Sequence, residues 1–491
     1  MPYQTLPYNQ SLALLTDLYQ LTMAYGYWKA GVDGKEAVFH LTFRKHPFQG
    51  GFTIACGLAY VIDYLEHFVL DQTDIGYLGG LKGNDGKPLF DREFLSYLEG
   101  VRFQCDIDAI PEGTVVFPHE PLIRVQGPIV QCQILETVLL NILNFQTLIA
   151  TKAARVCLAT RGEPVLEFGL RRAQGIDGAL AASRAAFIGG CAATSNVLAG
   201  KLFGIPVKGT HAHSWVMSFD DELEAFRAYA KAMPNNCVFL VDTYDTLEGV
   251  RKAAEVGQWL RSQGHEMIGI RLDSGDLAYL SIEARKLLDE AGFPKAVIVA
   301  SNDLDETIID SLKDQGATIS VWGVGTKLVT GYDQPALGGV YKLSAIREPG
   351  REWKHKVKLS EQSIKVSNPG IQQVRRYRSG TESIGDVIYD AQADLTGGCI
   401  MIDPQDMTRQ KRIPGDTPYA DLLLPVFRKG RRVYDPPPLP QIKQRVTQEL
   451  TGFHAGIKRF VNPHQYPVGL EKSLYTLKTD LILHSREVAL T

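Results

Sequence analysis

The hydrophobic pattern of this chain passes through three regimes. Up to about residue 130 it is mixed. Leu14, Leu15, Leu18, Leu21, Thr22 and Tyr25 recur at helical spacing, which predicts a helix within Ser11–Trp28. AVFHLTFRK (37–45) and GFTIACGL (51–58) read as strands. Residues 107–128 place Pro and Gly between short β-branched runs, which predicts a small β unit with tight turns. The stretch 129–162 is apolar on most faces and predicts a long, deeply buried helix.

From about 163 short apolar runs appear, each ending in polar or charged residues: PVLEFGLRR (164–172), PVKGTHAHS (206–214), VFLVDTYD (238–245), MIGIRLDSGD (267–276), AVIVASND (296–303) and TISVWGVGTK (318–327). Helical patterns such as 245–264 and 278–292 separate them, at a spacing near that of one βα unit. Six such units in series favour a (β/α) barrel or a doubly wound sheet, and nearly continuous apolar strands fit a parallel sheet covered on both faces. From about 340 the chain turns β-rich again, and DPPPLPQ (435–441) leads into one or two helices.

Composition narrows the classes. The chain has 491 residues with 45% hydrophobic content, enough for a sizeable core and two or three structural units. A net charge of −3 gives no bulk basic field for nucleic acid. The seven cysteines are odd in number and scattered without C-x-x-C pairs, which points to a reducing compartment rather than a disulfide or zinc framework. The first residues lack a basic segment ahead of an apolar run, so they do not read as a signal peptide, and no stretch approaches a membrane span. The expectation is a soluble, cytoplasmic protein with neither nucleic-acid nor membrane partners.

In α/β barrels the chemistry gathers at the C-terminal ends of the strands. The endings supply Arg171 and Arg172; Thr210, His211, His213 and Ser214; Asp242, Thr243 and Asp245; Arg271, Asp273, Ser274 and Asp276; Ser301, Asn302 and Asp303; and Gly323, Gly325, Thr326 and Lys327. This mixture suits an anionic, phosphorylated substrate with a divalent cation. GVGTK is a phosphate-loop candidate, because glycines let backbone N–H groups converge on an oxyanion and Thr326 adds a hydroxyl. The bland reading is a glycine turn. Arg271 and Asp273 share one face of a strand, where they clamp an anion and bind ribose, or simply pair with each other. His211 and His213 share one face of a strand in the same way. Three readings stay open for them: a metal pair, a structural pair, or one reactive imidazole beside Asp242 or Asp245.

Several long motifs together resemble the nicotinate phosphoribosyltransferase family. They are TDLYQLTMAYGYW (16–28), the run 167–200 from EFGLRR to TSNVLAG, GTHAHSWVMSF (209–219), RLDSGDL (271–277), VWGVGTKLVT (321–330) and KLSEQSIKVSNPG (358–370). The resemblance implies an α/β fold: an irregular (β/α) barrel over 131–345, a mixed α+β domain from 1–130 completed by 345–430, and a Pro-rich helical tail over 431–491. It implies that nicotinate attacks C1 of 5-phosphoribosyl 1-diphosphate, giving nicotinate mononucleotide and diphosphate, the first step from nicotinate toward NAD. It further implies ATP as co-substrate through a phosphohistidine, Mg²⁺ carried with the diphosphate, and a homodimer with shared active sites.

Carried onto this chain, the resemblance makes His213 the reactive histidine and His211 a bystander. Asp242 becomes the expected partner of the His213 imidazole. Tyr19 (reaching over from a partner subunit), Thr210 and Arg271 are expected at nicotinate, and Arg171, Asp273, Gly325 and Thr326 at the phosphoribosyl and diphosphate groups. Asn196 falls where the related nicotinamide enzyme carries an aspartate, so the neutral Ser195–Asn196 pair is expected to favour a carboxylate substrate. The competing readings are a nicotinamide or quinolinate phosphoribosyltransferase, a metal-dependent amidohydrolase built on His211 and His213, and a catalytically silent homologue.

Overall fold

The computed structural model describes residues 11–488. The chain divides into two compact units. One comprises residues up to Thr147 with Ala336–Pro438 and Gln448 onward; the other comprises Leu148–Pro335 with Leu439–Thr447.

The first unit is mixed α+β. Its seven-stranded sheet runs in the order Lys354–His355, Val340–Arg347, Glu36–Thr42, Ile123–Pro128, Asp106–Ala109, Leu424–Arg428 and Arg431–Arg432. Strand Glu36–Thr42 pairs antiparallel with Val340–Arg347 in a register that sets Glu36 opposite Arg347, so segments about three hundred residues apart form one ladder. Leu41, Ile107 and Val125 are fully buried in the main core of this unit, and Val38 in a smaller cluster with Ala345 and Ile371. A second, six-stranded sheet holds Val468–Glu471 between Glu382–Asp390 and Gly398–Ile402. The expected tail over 431–491 is therefore no separate unit. Its first helical residues, Leu439–Thr447, cluster with the barrel, and Val468–Glu471 is an interior strand.

Two local expectations shift. The first helix spans only Leu18–Lys29, because Asp17 caps it and its backbone N–H donates to Gln20 Oε1 at 2.7 Å. The long apolar helix breaks at Leu135 into Ile129–Ile134 and Glu136–Ala159.

The second unit is an irregular (β/α) barrel. Its strands are β1 (Val165–Glu167), β2 (Ala193–Thr194), β3 (Val238–Leu240), β4 (Gly269–Leu272), β5 (Val297–Ala300) and β6 (Val321–Val324). All neighbours are parallel, in the order β2-β1-β6-β5-β4-β3. That is the cyclic order of a barrel whose β2–β3 seam carries no ladder. The run 206–214, expected as a strand, lies at this seam. It makes a single parallel bridge, Thr194 with Val207, and then leaves as a loop. Thr194 N donates to Pro206 O and Lys208 N to Thr194 O, each at 3.0 Å, and Pro206 has no N–H with which to extend the ladder on its N-terminal side. Strand β2, absent from the sequence reading, takes the second place in the barrel.

Candidate active site

The barrel unit gathers a polar cluster at the C-terminal ends of its strands, and Arg271 is its centre. Its Nε donates to Ser301 Oγ (2.8 Å), Nη1 to Thr210 Oγ1 (3.1 Å) and Nη2 to Asp273 Oδ1 (2.7 Å). These bonds come from the ends of β4 and β5 and from the seam loop. They fix the planar guanidinium in one orientation. The Ser301 hydroxyl also donates to Asp273 Oδ1. Burial raises the Asp273 pKa, but the Ser301 hydroxyl and the Arg271 charge outweigh it and hold the carboxyl below the usual range.

The two histidines part company. Neither lies on a strand, so the shared-face argument fails. His211 sits in the seam loop with its ring against Tyr229 and Phe226, and its Nε2 accepts from Leu240 N at 3.2 Å. Burial pushes its pKa down to about 4. That nitrogen is spent on the backbone, which removes the metal-pair reading. His213 begins the short helix His213–Met217. Its Nδ1 is 3.1 Å from Thr243 Oγ1 and its Nε2 is 3.8 Å from Asp273 Oδ2, with 40% of the side chain exposed.

The expected Asp242 partnership is not formed. Asp242 Oδ2 accepts from Asp273 N (2.8 Å) and Ser274 Oγ (2.6 Å), while its buried Oδ1 has no hydrogen-bond partner. The side chain buttresses the Asp273 turn, and Thr243 is the residue that orients His213. Asp245 and Asp276 serve as N-caps, accepting from Glu248 N and from Ala278 N and Tyr279 N.

The remaining expected residues fall in three places. Arg171 and Arg172 stand exposed on the turn Leu170–Arg172 after β1. Gly325 and Thr326 follow β6. A Cβ on Gly325 would come 2.9 Å from Phe168 O, and one on Gly323 would come 2.8 Å from the Phe168 ring, so both glycines permit close approach of the β1 and β6 loops. Asn196 is buried and caps the helix Val197–Phe203. Its Oδ1 accepts from Ala199 N (3.2 Å) and its Nδ2 donates to Ser183 Oγ (3.2 Å). Those bonds make it a packing residue, against the expected substrate contact. Tyr19 lies in the other unit, on the helix Leu18–Lys29. Partial burial and Glu136 push its hydroxyl pKa up to about 12.

Sequence reasoning missed Glu167 and Phe168. Glu167 is fully buried at the end of β1 and accepts from Gly169 N, Ser183 Oγ (2.8 Å) and Thr194 Oγ1 (2.6 Å). A carboxylate closing an apolar strand was the available signal. Phe168 sets its ring 5.8 Å from the Arg271 guanidinium carbon, giving the cluster an aromatic wall. No group of three or more His, Cys, Asp or Glu that could hold a metal occurs among the described residues. Nor is any described helix long and apolar enough to cross a membrane.

An irregular (β/α) barrel with an arginine, a half-exposed histidine and a glycine loop at its strand ends is an enzyme architecture built for an anionic substrate. Comparison with known proteins makes this particular. The nicotinate phosphoribosyltransferase N-terminal domain profile matches residues 14–144, the family profile 164–375 and the C-terminal domain profile 371–478. The nicotinate phosphoribosyltransferase of Bacillus subtilis (strain 168) is 46% identical over 484 residues, covering 96% of each chain. That of Dictyostelium discoideum is 39% identical and covers 96% of this chain and 88% of its own. The crystal structure of human nicotinic acid phosphoribosyltransferase superposes with a TM-score of 0.82 at 31% identity, covering 95% of this chain and 99% of that one. The chain belongs to the nicotinate phosphoribosyltransferase family.

Proposed function

We propose that this enzyme joins nicotinate to 5-phosphoribosyl 1-diphosphate and couples the reaction to ATP hydrolysis through phosphorylated His213. The observation that carries the coupling is the His213 environment. With Nδ1 tied to Thr243 Oγ1 at 3.1 Å, the tautomer that donates from Nδ1 leaves the Nε2 lone pair free on a half-exposed ring. That nitrogen attacks the terminal phosphorus of ATP, and ADP leaves with the electron pair of the broken P–O bond. In the transfer step the nicotinate ring nitrogen bonds to C1 of the ribose as the C1–O bond to diphosphate breaks. Arg271, already oriented by Thr210, Ser301 and Asp273, offers its guanidinium face to the substrate beside Phe168.

Diphosphate leaves with negative charge, and in this reading Arg171, which is exposed, and the Gly325–Thr326 backbone stabilise it. Mg²⁺ enters as part of the diphosphate substrate. The orphaned Asp242 Oδ1 is the protein atom suited to accept from water on that ion. A homodimer in the cytoplasm, with Tyr19 of one subunit completing the site of the other, belongs to the same proposal.

The test offers purified protein 5-phosphoribosyl 1-diphosphate and Mg²⁺ with nicotinate, nicotinamide or quinolinate, with and without ATP. The proposal expects turnover of nicotinate alone, raised by ATP. In His213→Ala the ATP effect disappears. Turnover of nicotinamide in place of nicotinate overturns the substrate assignment, and an ATP effect that survives in His213→Ala overturns the coupling.

A further inference from the structure

Position 327 places a lysine directly after the Gly323–Thr326 segment, within reach of any anion held there. The structure gives that ammonium another use. Lys327 Nζ lies 2.6 Å from Asp305 Oδ2, with both side chains mostly buried, and packs 5.6 Å from the centre of the Tyr332 ring. Asp305 is anchored independently, because its Oδ1 accepts from Ile308 N at 2.8 Å and caps the helix Glu306–Asp314.

The segment between β5 and that cap is strained. Asn302 and Asp303 are consecutive non-glycine residues at φ 100° and 26°. Such a turn persists only when both ends are held. Ser301 holds one end through Arg271 and Asp273, and the Asp305–Lys327 pair holds the other. A continuous path therefore runs from Thr210 and Arg271 through Ser301 and the strained turn to Asp305, Lys327 and the β6 loop.

We propose that Asp305 and Lys327 form a positioning brace that keeps the Gly325–Thr326 turn after β6 in register with Arg271, and that Lys327 is not a phosphate ligand. This rests on the phosphoribosyl reading of that loop. Burial works against the Lys327 charge, yet Asp305 outweighs it and raises the lysine's pKa, so the pair is ionised at neutral pH. Drawing Lys327 toward a phosphate would leave Asp305 charged, mostly buried and unpaired.

The experiment compares Asp305→Asn, Lys327→Met and the double variant. Asparagine caps a helix as well as aspartate does, so Asp305→Asn removes the ion pair and keeps the Ile308 bond. A brace predicts that each single change raises KM for 5-phosphoribosyl 1-diphosphate by roughly fivefold or more, with kcat less affected. The double variant should be no worse than the singles, and Asp305→Glu should regain part of the loss. Protection of each variant against heat by inorganic diphosphate reads the loop without turnover and should weaken in parallel. A phosphate ligand predicts the opposite sign for one arm: Asp305→Asn frees the lysine and lowers KM or leaves it unchanged, while Lys327→Met raises it. That pattern overturns the proposal, as do unchanged constants in both singles. If wild-type protein turns over no 5-phosphoribosyl 1-diphosphate, the functional reading fails, and the diphosphate arm still tests the brace.

Discussion

His213 Nδ1 stands 3.1 Å from Thr243 Oγ1, one residue beyond the aspartate that sequence reasoning paired with it. A hydroxyl, which both donates and accepts, holds the imidazole ring in place without adding charge. Thr243→Val removes that contact at nearly constant volume and is expected to slow phosphorylation of His213 by roughly tenfold to a hundredfold, the usual cost of losing a histidine's orienting partner. Asp242→Asn keeps one oxygen for Asp273 N and Ser274 Oγ and is expected to change that rate less than about threefold, because it leaves the Nδ1 contact intact. Acid-labile incorporation from γ-labelled ATP measures both. Equal losses would restore Asp242 as the partner.

His211 should make the protein acid-sensitive. Burial lowers its pKa to about 4, whereas the unfolded chain titrates near about 6.5. Between those values the unfolded state binds the extra proton, so stability is complete above the upper value and falls as pH drops toward the lower one. The loss amounts to roughly 3 kcal/mol across the window. Urea unfolding of wild type and His211→Gln at several pH values within it isolates this contribution. The variant keeps an acceptor for Leu240 N and should show a flatter profile. Identical slopes would assign the acid sensitivity elsewhere.

Gly169 carries a packing constraint. A Cβ there would overlap the Val329 side chain, where the β1 and β6 loops meet. Gly169→Ala is expected to cost about 1–3 kcal/mol through overpacking, with KM for 5-phosphoribosyl 1-diphosphate rising as the loops part. Adding Val329→Ala opens space for the methyl group and should recover part of both losses. Thermal unfolding with steady-state kinetics reports the outcome, and a double variant no better than the single one would refute the steric account.

Asn196→Asp tests substrate choice. Aspartate still caps Ala199 N, but it replaces the donor facing Ser183 Oγ with an acceptor close to the buried Glu167 carboxylate. The expected result is a lower melting temperature and weaker nicotinate turnover, without a clean gain of nicotinamide turnover. An efficient nicotinamide enzyme from this single change would show that position 196 reads the substrate directly.

The barrel was legible because parallel strands buried on both faces leave continuous apolar runs, and β1, β3, β4, β5 and β6 each follow one. Strand β2 was not: it is two residues long in a segment without such a run. The 206–214 run misled for the complementary reason. Its apolar start matches a strand, but Pro206 and the seam between β2 and β3 leave it a single bridge. At the site, Arg271 with Asp273 and the close β6 glycines were visible from residue type and spacing. The division of the aspartates was not, because a carboxylate at a strand end looks the same whether it faces a substrate or caps the next helix. Asp245 and Asp276 cap, Asp273 faces His213, and Asp242 supports the turn between them.

By itself, then, the amino-acid order determined the periodicities, the sites where backbone can close on backbone, and the inventory of polar groups at the strand ends. Those follow from local sterics and from which surfaces must leave water. Only the tertiary structure decided which of two adjacent histidines is buried against aromatic rings and which is offered to solvent, which hydroxyl orients it, and that Lys327 is paired with Asp305. Each of these depends on distances between groups about thirty residues apart or on neighbouring strands, and no local pattern encodes such a distance.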